Sequence, residues 1–222
     1  MEQCVKSFIF GHSVQNLPMI AHQFGNSGPE VLILGGVHGD EVEGVICANS
    51  LISRFAEGFA YKLQVTVVPM FNVDGVLEKQ RKNANSVDLN RNLPTQDWTN
   101  DVPEEKYYPG PEANSEPENQ ALCQWLESHQ PKLIITLHSW KPVLNTNGNC
   151  NPEAGIISKM TGYEIVESIG YPTPGCLGTF TGLERAMPTL TYEIERGSNA
   201  KQIIDTHVPA ILEALKATQD RR

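Results

Sequence analysis

Four short apolar runs restrict the architectures open to this chain. VLILG at 31–35, LQVTVVP at 63–69, KLIITL at 132–137 and TLTYEI at 189–194 are aliphatic, largely β-branched and of strand length. Between them lie stretches with helical periodicity. Residues 40–57 place Val42, Val45, Ile46, Leu51 and Ile52 on one stripe, and residues 116–129 open with Ser115 as cap and Pro117 in the first turn. Residues 152–168 and 199–217 complete the helical set. Strands alternating with helices predict an α/β fold with a mixed, mostly parallel twisted sheet and helices on both faces. A chain of 222 residues suits one such domain spanning 1–222 and is short for two.

Composition narrows the function. Hydrophobic residues are 40% and charged residues 19%, which is globular rather than disordered. A net charge of −9 leaves no basic stripe to neutralise phosphates, so nucleic acid is not an expected partner. No segment approaches the length of apolar chain that spans a bilayer, and the N-terminal MEQCVKSFIF lacks the apolar region of a leader, so no membrane partner is expected. Cys4, Cys47, Cys123, Cys150 and Cys176 are scattered, odd in number and without a CxxC pair. They predict a reduced, cytoplasmic setting and neither a disulfide framework nor a thiolate metal site.

In open α/β sheets ligands gather outside the carboxyl ends of the strands. The first run leads into GGVHGDEVEG, with His38, Asp40 and Glu41 inside four positions, the third into His138, and the fourth contains Glu193. Two imidazoles and one carboxylate are the donor set of a catalytic zinc that keeps a fourth position for water. Such an ion brings the pKa of water from about 15.7 toward about 7–9, and a further carboxylate beside it can accept and return a proton. The HExxH zinc signature is absent, so the expectation rests on His38, Glu41, His138 and Glu193 converging. Asp40 is read either as a partner orienting an imidazole or as a helix N-cap. His12, His22, His129 and His207 have no acidic neighbours in a motif, and most of them are expected at the surface.

Two polar connections are long for a compact domain. One, residues 71–115, holds NVDG and VDLNRN; the other, 139–152, reads SWKPVLNTNGNCNP. VDLNRN sets Asn90 beside Arg91, with Arg81 ten residues before Arg91. Guanidinium groups near a metal have two natural tasks: gripping a carboxylate in a bidentate fork and stabilising an oxyanion.

Taken in order over residues 35 to 195, GGVHGDE, NVDG, VDLNRNLP, LHS and TLTYE resemble the zinc carboxypeptidase family of metallopeptidases. HGDE, the short chain and YPTPGCLG at 171–178 are most similar to its bacterial murein peptide amidase (γ-D-glutamyl-diaminopimelate amidase) branch. The resemblance implies one Zn²⁺ held by His38, Glu41 and His138, with Glu193 as general base. It implies that Arg81 polarises the scissile carbonyl, that Asn90 and Arg91 hold the carboxylate of a C-terminal residue, and that Tyr171 caps the substrate. A small murein peptide would be the substrate, cut at γ-D-Glu–meso-diaminopimelate during cell-wall recycling. Rival readings are a general carboxypeptidase on L-peptides, a deacylase similar to succinylglutamate desuccinylase or aspartoacylase, and a non-catalytic module. NVDG with VDLNRNLP favours the peptidase, and retention of Glu193 with all three ligands speaks against the module.

Overall fold

A computed structural model describes residues 5–219; Cys4 and the residues before it, included in the reading of the N-terminus, lie outside them. The elements run β1 (Val5–His12), β2 (Pro18–Phe24), β3 (Glu30–Gly35), α1 (Val42–Glu57), β4 (Gln64–Val68), α2 (Val73–Glu78), α3 (Pro117–Ser128), β5 (Leu133–Trp140), β6 (Val143–Asn147), α4 (Asn151–Thr161), β7 (Glu164–Val166) and β8 (Thr189–Glu195). The chain closes with α5 (Ala200–Gln202), a π-helical turn (Ile203–His207) and α6 (Val208–Thr218). Among the described residues the strands form one sheet in the order β1-β2-β4-β3-β5-β8-β6-β7. The central pairs β4–β3, β3–β5 and β5–β8 are parallel, whereas β1–β2, β2–β4 and β6–β8 are antiparallel. This is the mixed α/β sheet expected.

The central strands are buried on both faces, which is why they read as unbroken apolar runs. Alternate side chains part to opposite sides. Val31, Ile33, Ile135 and Leu137 join a core with Leu51 and Phe55 of α1, Ile157 of α4 and Ile211 and Leu215 of α6. Leu32, Leu34 and Ile134 join a second core with Leu122 and Leu126 of α3 and with Phe71, Leu89 and Leu93 of the long connection. Full burial of each such side chain contributes roughly 1.5–3 kcal/mol. The connection that carries NVDG and VDLNRN is therefore packed structure, not a free loop.

Several local expectations are corrected. The buried face of α1 is Gly44, Cys47, Ala48, Leu51 and Phe55, while Val42 is exposed and Val45, Ile46 and Ile52 only partly covered. Close approach to β5 rotates the helix: a Cβ on Gly44 would lie 2.4 Å from the Leu137 carbonyl oxygen. Ser115 does not cap α3. Glu116 holds that position without a side-chain cap, and the Ser115 hydroxyl donates to Glu116 Oε1 at 2.6 Å. The helix expected over 152–168 stops at Thr161, because Gly162 turns left-handed at φ +77° and residues 164–166 enter the sheet. The 139–152 connection contains β6. Of the four histidines expected to be mostly at the surface, His12 is exposed and His22 and His129 partly so, but His207 is buried against Tyr192.

Candidate metal centre

The parallel pairing of β5 with β8 sets His138 directly beside Glu193. Parallel β3 ends at Gly35 on the same side of the sheet, and the chain turns there to deliver His38 and Glu41. Gly39 permits this turn by closeness rather than by a left-handed φ: a Cβ there would lie 2.0 Å from the Gly75 carbonyl carbon. Backbone bonds from Phe71 and Asn72 to the carbonyls of Gly35 and Gly36, each 2.9 Å, fasten the NVDG segment alongside.

His38, Glu41 and His138 converge, each offering a ligand atom within 4.8 Å of the others. His38 Nδ1 lies 2.9 Å from Glu41 Oε1, His138 Nδ1 2.9 Å from Glu41 Oε2, and the two Nδ1 atoms 3.1 Å apart. All three residues are buried. Each outer nitrogen has its own partner: His38 Nε2 faces Asp88 Oδ1 at 3.1 Å and His138 Nε2 faces Thr136 Oγ1 at 3.0 Å. The Asp88 carboxylate can only accept, so it favours the His38 tautomer with hydrogen on Nε2 and the Nδ1 lone pair toward Glu41; the Thr136 hydroxyl is able to accept from His138 Nε2 in the same way, and His138 Nδ1 faces the same spot. That donor set fits a zinc-type ion.

Asp88 binds the cluster to the VDLNRN segment. It is fully buried, and an unpaired carboxylate there would cost several kcal/mol. Oδ1 accepts from His38 and from the Asn90 backbone N–H at 2.9 Å, and Oδ2 accepts from Arg81 Nε and Nη2 at 3.0 and 2.8 Å. Burial opposes its charge, but His38 and Arg81 outweigh burial and hold the carboxyl well below the usual range. Burial likewise opposes the charge of Glu41, and the two imidazoles reverse it, so this carboxyl also sits well below its ordinary value. The Glu41 carboxylate additionally accepts the Ser139 backbone N–H at 3.1 Å.

Glu193 behaves oppositely. Burial, assisted by the nearby charge of Glu41, pushes its carboxyl up to about 7 against the opposing pull of His138, Arg81 and Arg196. Its Oε2 is a buried acceptor without a hydrogen-bond partner among the described residues. A carboxyl of that affinity beside a metal-type donor set can exchange a proton near neutrality.

A cavity of about 380 Å³ opens over these groups, lined by His38, Glu41, Glu193, Arg81, Asn90, Arg91 and Tyr171 among others. The sequence-predicted site residues are thus together, with His138 directly beneath. Arg91 is 4% exposed; its Nη1 donates to the Asn90 carbonyl at 2.7 Å, and it forms no ion pair among the described residues. Asn90 Oδ1 accepts the Leu177 backbone N–H at 2.9 Å. Tyr171 stands at the rim, edge-on to Trp140 at 6.1 Å and near Tyr107 at 6.3 Å.

Residues 1–204 match the zinc carboxypeptidase (peptidase M14) family. The chain belongs to that family. As a member it is a hydrolase acting on peptide bonds. It is 32% identical to murein peptide amidase A of Vibrio campbellii, over 95% of this chain and 88% of the relative. The crystal structure of the murein-tripeptide amidase of Escherichia coli O157 superposes with a TM-score of 0.76 at 26% identity, covering 95% of this chain and 91% of that one. The carboxypeptidase A of Helicoverpa armigera shares the fold, with a TM-score of 0.81 at 16% identity, covering 96% of this chain and 67% of that one.

Within this family framework two readings change. Asp40 neither caps α1 nor touches an imidazole; its Oδ2 pairs with Arg196 at 3.2 Å, and the carboxylate orienting His38 is Asp88. Asp88 stood inside VDLNRN, two residues before Asn90, yet its role depends on a contact fifty residues away. Sequence reasoning also missed Arg196, Thr136 and Tyr107; Tyr107 lies under both Arg91 and Arg81 at 5.1 and 5.6 Å.

Proposed function

We propose that the chain is one catalytic domain over residues 1–222, a zinc-dependent murein peptide amidase acting in the cytoplasm on recycled cell-wall peptides. Its reaction is hydrolysis of the γ-D-glutamyl–meso-diaminopimelate amide, which releases a residue with a free carboxylate. The observation that carries the reading is Arg91. It is a buried guanidinium without a carboxylate partner among the described residues, in the cavity that also holds Glu193 and the His38–Glu41–His138 cluster. Such a group asks for an anionic ligand. The murein peptide follows from the likeness to murein peptide amidases over most of both chains. Among the described residues no helix is long and apolar enough to cross a membrane.

His38, Glu41 and His138 hold the zinc in this reading. When bound, the metal supplies a Lewis acid that acidifies water and polarises a carbonyl. Asn90 and Arg91 fix the carboxylate of the departing residue, and Tyr171 closes over it from the rim. Arg81, already held by Asp88, presents its guanidinium to the oxygen on which charge develops. Glu193 takes the proton from the attacking water and delivers it to the departing amine.

Mass spectrometry of products from L-Ala-γ-D-Glu-meso-diaminopimelate, with zinc and after chelation, tests the reading. Free diaminopimelate is expected only with zinc. Release of C-terminal residues from ordinary L-peptides, or of acyl groups from N-acyl amino acids, with the murein peptide left intact would overturn it.

A further inference from the structure

Arg196 is a cavity-lining cation without a task in the reaction just described. It follows directly on β8, and its place is over-determined. Its backbone N–H donates to the Trp140 carbonyl at 3.0 Å, Nε donates to the Ser139 carbonyl at 3.2 Å, and Nη1 donates to Asp40 Oδ2 at 3.2 Å. Nη2 lies 3.5 Å from Glu41 Oε1, long for a hydrogen bond, and the side chain remains 46% exposed. An ordinary surface ion pair contributes about 0–1 kcal/mol and needs no such anchoring. Here one backbone carbonyl and a carboxylate hold a guanidinium with spare donor capacity at the edge of the candidate centre, and a second carbonyl fixes the backbone that carries it.

Contacts arrange the cations in a series. Arg91 and Arg81 share the Tyr107 ring, and Arg81 Nη1 and Arg196 Nη2 share Glu41 Oε1, at 3.4 and 3.5 Å. In this series of contacts Arg91 and Arg196 are the two ends, with Arg81 and Glu41 between them. A peptide whose terminal carboxylate reaches Arg91 and whose scissile carbonyl lies beside Arg81 carries its acyl portion toward Arg196. In a γ-glutamyl amide the acyl residue keeps a free α-carboxylate at that point, whereas an α-linked peptide has a neutral amide there.

We infer that Arg196, held at Asp40, binds the α-carboxylate of the γ-linked acyl residue and so selects γ-glutamyl amides over α-peptides. The inference rests on the amidase reading above and adds the feature that recognises the linkage. A charge-assisted hydrogen bond of this kind sets the scale of the effect at about 10- to 100-fold.

The test compares the murein tripeptide with its analogue in which the glutamyl α-carboxylate is amidated. In the native enzyme amidation is expected to lower kcat/KM about 10- to 100-fold, and in Arg196→Met that penalty should shrink below about 3-fold. Arg196→Lys should retain part of it. Zinc content must stay unchanged in both variants, which separates this role from simple support of Glu41. An Arg196→Met enzyme that keeps the full penalty overturns the inference. Should the native enzyme cleave neither tripeptide, the amidase reading fails by itself, and calorimetry still decides on Arg196. L-alanyl-D-glutamate is expected to bind more tightly than its α-amide in native protein and equally in Arg196→Met; equal affinity in native protein overturns the inference.

Discussion

His38 and Asp88 stand fifty residues apart in the chain and 3.1 Å apart between Nε2 and Oδ1. The carboxylate decides which imidazole nitrogen carries hydrogen, and thereby which one is free toward Glu41 and His138. It also grips Arg81 through two nitrogens, so one buried side chain orients an imidazole of the candidate centre and a cation together.

Asp88→Asn keeps the volume but removes the charge and reverses one half of the hydrogen bonding. Loss of such a partner typically costs 10–100-fold in metal affinity. Zinc affinity measured against a competing chelator is expected to fall by that order, with activity falling alongside. An Asn variant that binds zinc as tightly as the native chain would assign Asp88 to the fold alone.

Glu193→Gln preserves the shape of the cavity wall and removes a proton acceptor raised to about 7 by burial. General acid–base catalysis is generally worth 10²–10⁴-fold, so turnover should drop by about that factor. Because Glu193 is outside the proposed ligand set, metal content should stay at the native level. A variant with undiminished turnover removes Glu193 from the chemistry.

The unequal legibility of fold and site has a physical basis. The central strands were readable because burial on both faces leaves an aliphatic run, and His38, Glu41, His138 and Glu193 were readable because they interrupt or follow such runs. β6 was hidden for the opposite reason. Its Asn145 and Asn147 line the polar cavity, so the strand shows none of the apolar alternation that marks a half-buried strand. β1 was hidden by an exposed face that carries Ile9, which blurs the same alternation at the sheet edge. Asp40 was misread because its partner, Arg196, lies 156 residues away and no local pattern announces it.

Gly39 makes a prediction about the turn that delivers His38 and Glu41. Its neighbour is backbone, the carbonyl carbon of Gly75, which cannot swing aside as a flexible side chain would. Gly39→Ala must push α2 away from the His38 turn. Overpacking of this type costs about 1–3 kcal/mol. Urea unfolding should show a loss in that range, and zinc affinity should weaken with it because His38 and Glu41 flank the strained position. Unchanged stability would mean that the two segments separate freely.

His207 gives the pH dependence of stability. Buried behind β8 with Nδ1 2.6 Å from the Tyr192 hydroxyl, it is held neutral, and burial lowers its pKa from 6.5 to about 4. The unfolded chain therefore takes up a proton on this ring at a higher pH than the folded one does. Stability from this group is fully present above pH 6.5, declines as pH falls toward about 4 and is lost below that. Each tenfold difference in proton affinity is worth about 1.4 kcal/mol, and partial solvation trims the total to about 2 kcal/mol or less. His207→Gln keeps a hydrogen-bonding group for Tyr192 and cannot titrate. Urea unfolding at pH 7 and pH 4.5 should show the native chain losing about 1–2 kcal/mol more than the variant over that interval. Equal losses would show that His207 is protonated without penalty inside the folded core.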